Sequence, residues 1–392
     1  MKFIWKATKI LFVFIIILIA GLYLTNTSYL IKAVKTIYLN GYKTAFLDDY
    51  KYFDTRKVDT SSAQPWPLAI DYNTVEETSE LLKNHTNLQT IAYLIIKDDS
   101  IWHESYFDGY TKDSQTNSFS MSKSITSAAL GKAIQEGYIK NLDQKAIDFL
   151  PNMQGPFAKD LTVGDLSSMS SGLKWDERYS APTSVTTKAY FYEDLNEMML
   201  ELPIESKPGQ KFEYKSGDTE LLAMVLEKAT GQKLSHYVSD KFWKPMGAEN
   251  PAYWQIDSEA NGVEKAYCCF TSNARDFARF GKLYKDFGKW NGEKILDSTF
   301  IALSTKPRFK DAPQYGYGWW LHNYLNKKMF YMRGHLGQFV IVIPEDNLII
   351  VRLGHIKGLQ TETDAHSNDF YVYVNEAYKM LKKRKPMYAN QN

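Results

Sequence analysis

From Ile10 to Ile31 the chain carries no charged residue, and Lys2, Lys6 and Lys9 stand just before that run. At about 1.5 Å per residue, an uncharged helix of this length crosses a hydrocarbon core roughly 30 Å thick. Trp5, Tyr23 and Tyr29 flank it, where amphipathic rings favour the bilayer interface. A buried core helix would not carry a lysine cluster at its positive N-terminal end. A cleaved secretory signal has a shorter apolar region and a small-x-small cleavage site. Around Ala20 and Gly21 the residues two positions upstream are Leu18 and Ile19, which do not fit. No cysteine lies near to take a lipid. Residues 1–31 therefore read as an N-terminal membrane anchor or signal segment, with the uncleaved anchor favoured. The leading lysines place a short tail inside and the large domain outside, periplasmic or extracellular, although Lys32, Lys35 and Lys43 reduce the asymmetry.

The rest of the 392 residues suffices for one large domain or two small ones. Apolar residues make up 44% and charged residues 23%, which supports a globular core and excludes wholesale disorder. Lys plus Arg number 47 against 45 Asp plus Glu, so no strong field exists to hold nucleic acid. Cys268 and Cys269 are adjacent, and adjacent cysteines rarely pair because the ring they close is strained. They read as two unpaired buried side chains, with neither a disulfide framework nor a zinc ligand set.

Residues 32–67 mix charges, aromatics and turn residues without a period, and Thr60 to Pro67 reads as a linker or extended arm. Beyond it the spacing predicts a helix over 75–84, a strand over 91–96 and a return strand over 100–107. Helices follow over 120–137, over 218–230 stopped by Gly231, and over 272–287. A second hairpin, 339–343 with 348–353, and a helix over 367–383 close the pattern. Two hairpins in one antiparallel sheet, with a long helical insertion on one side, make an α+β fold. The main domain is expected over 68–385 and a tail over 386–392.

No G-x-S-x-G elbow, phosphate loop or H-E-x-x-H helix occurs, and the seven histidines are scattered singly. Neither a metal nor an organic cofactor is called for. Ser120-Met121-Ser122-Lys123 stands out on physical grounds. A serine hydroxyl needs an adjacent base, and a lysine one helical turn away lies on the same face. Buried there, it loses charge by desolvation and accepts the proton as a neutral amine. The pattern alone is weak, since Ser171-Gly172-Leu173-Lys174 also fits it; Ser120, however, opens an amphipathic helix, whereas Ser171 precedes a turn. Tyr214-Lys215-Ser216 follows Pro208-Gly209 and precedes a helix, so it can sit at a loop tip facing a cleft. Tyr237-Val238-Ser239 lies inside a helical stretch.

Ser120-Met121-Ser122-Lys123, then Tyr214-Lys215-Ser216, then Gly334-His335-Leu336-Gly337-Gln338 together resemble the β-lactamase-related serine hydrolases. These include class C β-lactamases, D-alanyl carboxypeptidases, family VIII esterases and 6-aminohexanoate-dimer hydrolases. The resemblance covers roughly residues 70 to 380. It implies a β-lactamase/transpeptidase-like fold, an antiparallel sheet with flanking helices and an all-helical insertion. It implies Ser120 as acylated nucleophile, Lys123 as its general-base partner and Tyr214 as proton shuttle, with the choice of base between Lys123 and Tyr214 open. It implies an oxyanion hole from the backbone N–H groups of Ser120 and Gln338, with Gly337 letting substrate approach an edge strand. His335 stands where lactamases and peptidases carry a lysine, and Ser216 where many relatives carry Asn. A mostly neutral imidazole is a weaker anchor for a substrate carboxylate, which favours the esterase and amidase branches. For His335 a buried structural role, and for Trp319-Trp320 a place in the core, are the alternatives to lining a substrate. The reading is a membrane-anchored serine hydrolase of a small ester or amide. A penicillin-binding or β-lactamase-type peptidoglycan enzyme, and a non-catalytic envelope binding protein of the same fold, are the alternatives.

Overall fold

A computed structural model of the chain describes residues 2–361 and 363–384, so the tail expected over 386–392 lies outside the described residues. α1 (Lys2–Leu24) projects from the body, and its side chains from Phe3 to Ala20 are exposed. The segment expected as a linker or extended arm, 32–67, packs along the fold together with the residues just before it. It carries α2 (Tyr29–Thr36), which buries Tyr29, Ala33 and Thr36 at helical spacing, and β1 (Thr55–Val58), which pairs with a strand nearly two hundred residues later. Eight residues are too short for a periodicity signal to stand out, so only the docked partner reveals α2.

α3 (Ser79–Asn87) starts at Thr78, whose hydroxyl accepts from the Leu81 amide. β2 (Thr90–Lys97) and β3 (Ser100–Tyr106) form the first hairpin. After β4 (Thr116–Asn117) come α4 (Ser122–Gln135), α5 (Val163–Ser167), α6 (Val185–Phe191), α7 (Leu195–Glu201), α8 (Ser216–Thr230) and α9 (Leu234–Val238). Gly231 ends α8 in the left-handed region at φ 68°, as the sequence predicts. The insertion, expected to be all-helical, carries these helices between long irregular stretches and also contributes β5 (Ala252–Gln255) and β6 (Phe270–Ser272), which join β1 and β4 in a small sheet of order β1-β5-β6-β4. α10 (Ala274–Lys285), the short hairpin β7 (Lys289–Trp290) and β8 (Glu293–Lys294), and α11 (Ser298–Ser304) lead back to the main sheet.

That sheet adds β9 (Trp320–Tyr324), β10 (Lys327–Gly334), β11 (Gln338–Ile343) and β12 (Leu348–Gly354), and α12 (Asn368–Lys382) is the last element of the described residues. Its order is β3-β2-β12-β11-β10-β9, all antiparallel, so the two expected hairpins do share one sheet through the β2–β12 pairing, Ile95 opposite Ile350. Every residue of β11 is buried, because both faces of the sheet are covered. Phe339, Ile341 and Ile343 face Phe370, Tyr373 and Val374 of α12. Val340 and Val342 face the opposite layer, which includes Phe277, Phe280 and Tyr284 of α10. This alternation produces three layers, helix on sheet on helix. It also sets the start of α4 against one end of β10 and β11, where the candidate site lies.

Candidate active site

Ser120 lies in a 3₁₀ turn, Phe119–Met121, and the α-helical turns begin two residues later than expected, at Ser122. The tighter turn brings the i and i+3 side chains into line, and Lys123 Nζ donates to Ser120 Oγ at 2.9 Å. Phe119 is held at φ 47°, a left-handed conformation that costs energy for a bulky residue, so the surroundings must impose it. Asn117 Oδ1 accepts from its amide at 2.9 Å. Against β10, a Cβ on Gly334 would fall 2.2 Å from the Ser118 carbonyl oxygen. Only glycine at Gly334 lets the serine-bearing turn seat on the sheet.

Lys123 is buried and makes two further contacts, to Ser216 Oγ at 3.0 Å and to the Tyr267 carbonyl at 2.6 Å. Desolvation drives its pKa down to about 8, against the opposing pull of Glu177, Glu220 and Asp218. Having lost a proton, the amine keeps two N–H bonds for Ser216 and Tyr267 and turns its lone pair to Ser120. Ser216 is itself oriented by Glu177. Its amide donates to Oε2 at 2.7 Å and its hydroxyl to Oε1 at 2.6 Å, so its oxygen is left to accept from Lys123. The Glu177 carboxylate thereby closes the N-terminus of α8, a favourable place for negative charge. Trp175 Nε1 and the Tyr179 hydroxyl also donate to it, each at 2.6 Å.

Tyr214 stands just before α8, with its ring 5.1 Å from Lys123 Nζ and 5.6 Å from the ring of Trp320. Burial and the nearby Glu177 charge raise its pKa far above the ordinary tyrosine value. Ser120, Lys123, Tyr214 and Ser216 thus converge from two stretches of chain nearly a hundred residues apart. The competing pairs do not. Ser171 Oγ donates to Asp218, while Lys174 is exposed, and the Tyr237 hydroxyl donates to Glu136 on the outside of α9.

The third sequence element is more divided. His335 lines the cavity that contains Ser120, and its buried Nε2 has no partner among the described residues. Desolvation, aided by Lys357, lowers its pKa to about 4, so it is neutral at physiological pH. It packs edge-on to Phe119 at 5.5 Å. The Gln338 side chain is occupied with structure, donating to the His335 and Gly354 carbonyls and accepting from the Gly354 amide. Gly337 differs from its expected role. β11 is flanked by β10 and β12 and is no edge strand. The space beside Gly337 is filled by Arg352 Nη1, 2.7 Å from where a Cβ would sit, and its φ of 83° explains the glycine. Trp319 is core, its ring tilted against Tyr284 with centroids 4.3 Å apart, whereas Trp320 borders Tyr214.

The cysteines also differ from expectation. Cys268 and Cys269 form a vicinal disulfide, in a turn where Cys269 adopts φ 73°. The left-handed residue folds the two side chains onto one side of the turn, an arrangement that a strand or helix forbids. Glu177 and the Tyr267 carbonyl were beyond sequence reasoning. A lone acid in an irregular stretch carries no signal, and a main-chain acceptor carries none at all.

Residues 75–371 match the β-lactamase family. The chain belongs to that family. A 6-aminohexanoate-dimer hydrolase of Paenarthrobacter ureafaciens is 25% identical over 223 residues, 54% of this chain and 56% of the relative. Protein flp of Staphylococcus aureus strain MW2 is 24% identical over 313 residues, 71% of this chain and 61% of the relative. This β-lactamase-family chain therefore spans 56% and 61% of the lengths of those two curated relatives. A solved Bacillus anthracis structure superposes with a TM-score of 0.69 at 21% identity, over 85% of this chain and 92% of the other. A family VIII carboxylesterase gives 0.61 at 17%, over 81% and 99%. At these identities the structures show a shared fold, the β-lactamase/transpeptidase-like arrangement expected from sequence.

Proposed function

We propose that this β-lactamase-family chain is a membrane-anchored serine hydrolase that cleaves an ester or amide through an acyl-serine intermediate. The observation that carries this reading is the buried, desolvated Lys123 amine 2.9 Å from Ser120 Oγ. Neutral Lys123 takes the Ser120 proton as Oγ attacks the carbonyl. The backbone N–H groups of Ser120 and Gln338 receive the oxyanion. Tyr214, which burial keeps protonated, donates to the leaving group and is replenished from Lys123, so Lys123 rather than Tyr214 is the base. Water then resolves the acyl-enzyme with the same groups acting in reverse. Neutral His335 offers its unpartnered Nε2 to substrate as a hydrogen-bonding group, not as a cation. This favours ester and amide substrates over ones held by a carboxylate. α1, uncharged from Ile10 onward and exposed from Phe3 to Ala20, anchors the enzyme with its domain outside the cell membrane.

Two measurements test this reading. A fluorophosphonate probe applied to the full chain in detergent is expected to attach at Ser120, and labelling elsewhere or nowhere on folded protein overturns the assignment. The pH dependence of kcat/KM is expected to rise through pH about 8 as Lys123 loses its proton. In Glu177→Gln a carboxylate that favours protonated Lys123 is gone, so this limb moves to lower pH. An unmoved limb would separate Glu177 from Lys123.

A further inference from the structure

The cavity above Ser120 has a volume of about 360 Å³, within the range of small-molecule sites. Its base holds the polar groups of Ser120, Ser216 and His335. Its far wall is made by the segment that directly follows the membrane helix, with Leu30, Ala33 and Ile37 of α2 and its continuation closing the chamber. α2 begins five residues after Leu24, the last residue of α1, and the Tyr29 hydroxyl pins it to the body through the Pro182 carbonyl at 3.1 Å. Val34 belongs both to the cavity lining and to the surface, at 45% exposed. It therefore marks the rim. Beside it Tyr38 and Leu39 are exposed, Leu39 at 76%. An amphipathic turn with bare apolar side chains, tethered at the end of a membrane-anchoring helix, is suited to rest on a bilayer surface with those side chains toward the acyl region. The mouth of the cavity then opens at the lipid boundary.

From this geometry we infer that the site takes a single-chain lipid ester, drawn sideways from the leaflet against which α2 rests, with its aliphatic chain in the cavity and its carbonyl at Ser120. The inference rests on the hydrolase reading of Ser120 and on α1 as an anchor. The bond broken is the ester C–O and the bond formed is Ser120 Oγ to the acyl carbon. The alcohol leaves with the proton that came from Ser120, and water then breaks the Oγ–acyl bond, releasing the fatty acid and returning a proton to Ser120. α2 couples anchoring to specificity, since one short helix both meets the membrane and walls the chain pocket. An acetyl group leaves the chamber unfilled, whereas each methylene that enters removes apolar surface from water.

The test uses the full chain reconstituted in phosphatidylcholine vesicles, with p-nitrophenyl acetate, butyrate, octanoate and dodecanoate. The kcat/KM for octanoate is expected to exceed that for acetate at least about tenfold. Ala33→Phe fills the pocket, and Val34→Asp places a charge at its rim. Each is expected to lower the octanoate-to-acetate ratio at least about tenfold, and fluorophosphonate labelling of Ser120 reports that the variant is folded. A monoacylglycerol supplied in the same vesicles as the enzyme is expected to turn over faster than in a separate vesicle population. If Ser120 is labelled and acetate is cleaved but the chain-length series is flat, or the two vesicle arrangements run equally, the lipid proposal falls and the hydrolase reading stands. If neither labelling nor turnover occurs, both fall.

Discussion

Lys123→Met is expected to lower kcat/KM by about 10³-fold or more, the scale on which removing a positioned base acts. Methionine matches the length and shape of the lysine stem and tolerates burial, so the fold is kept while the lone pair is lost. The three contacts of Nζ, to Ser120, Ser216 and the Tyr267 carbonyl, leave no neighbouring group able to stand in. Tyr214 is the nearest candidate, but burial holds its proton too firmly for it to act as base near neutrality. Ser120→Ala should lose at least as much, and the double variant should be no worse than the more damaged single one, because the two residues act as one unit. Single-turnover kinetics with an activated ester, alongside the rate of fluorophosphonate labelling, measure the effect. A Lys123→Met enzyme that acylates within tenfold of the native rate would pass the role of base to Tyr214.

The second large effect concerns stability. Arg279 is fully buried on α10 and binds four partners: Asp276 at 2.7 Å, the Met246 carbonyl at 2.8 Å, the Gln64 carbonyl at 2.9 Å and Glu249 at 3.3 Å. One side chain therefore ties the arm before the main domain, the turn after α9 and the helix that backs the sheet. Arg279→Met leaves Asp276 buried without its counter-charge and two carbonyls unpaired. The expected loss is about 3–5 kcal/mol. Asp276 retains donors in the Glu249 and Asn250 amides and the Asn273 side chain, which cushions the change without supplying charge. Chemical denaturation of the full chain in detergent, followed by tryptophan fluorescence, reads the shift in midpoint. A loss below about 1 kcal/mol, the range of an exposed ion pair, would contradict the burial argument.

Strands and helices whose apolar residues repeat at one period were legible in the chain. β2 holds the apolar run Ile91 to Ile96 and β12 the run Leu348 to Val351, and α10 places Phe277, Phe280 and Tyr284 on one face. β10 was missed because Lys327 to Gly334 mixes lysine, arginine, methionine and aromatics with no clean alternation. It is a strand because β9 and β11 pair with it on both sides. β1 was missed because its partner, β5, lies far along the chain.

The candidate site divides in the same way. Ser120 and Lys123 are three positions apart on one rising turn, so local geometry alone makes them neighbours, and the residue types name the chemistry. That pairing can be read from residue order, as can the uncharged N-terminal run and the order of the three site elements. The tertiary structure alone decided that Ser171 is turned to Asp218 instead of a lysine, that Glu177 orients Ser216, and that the Tyr267 carbonyl takes the third bond of Lys123. It also decided that Gly337 faces Arg352 and that α2 closes the cavity. The physical reason is common to all five. These contacts join positions far apart in the chain through main-chain acceptors, single side chains or shape, and none of these leaves a periodic or compositional trace until the chain has folded around it.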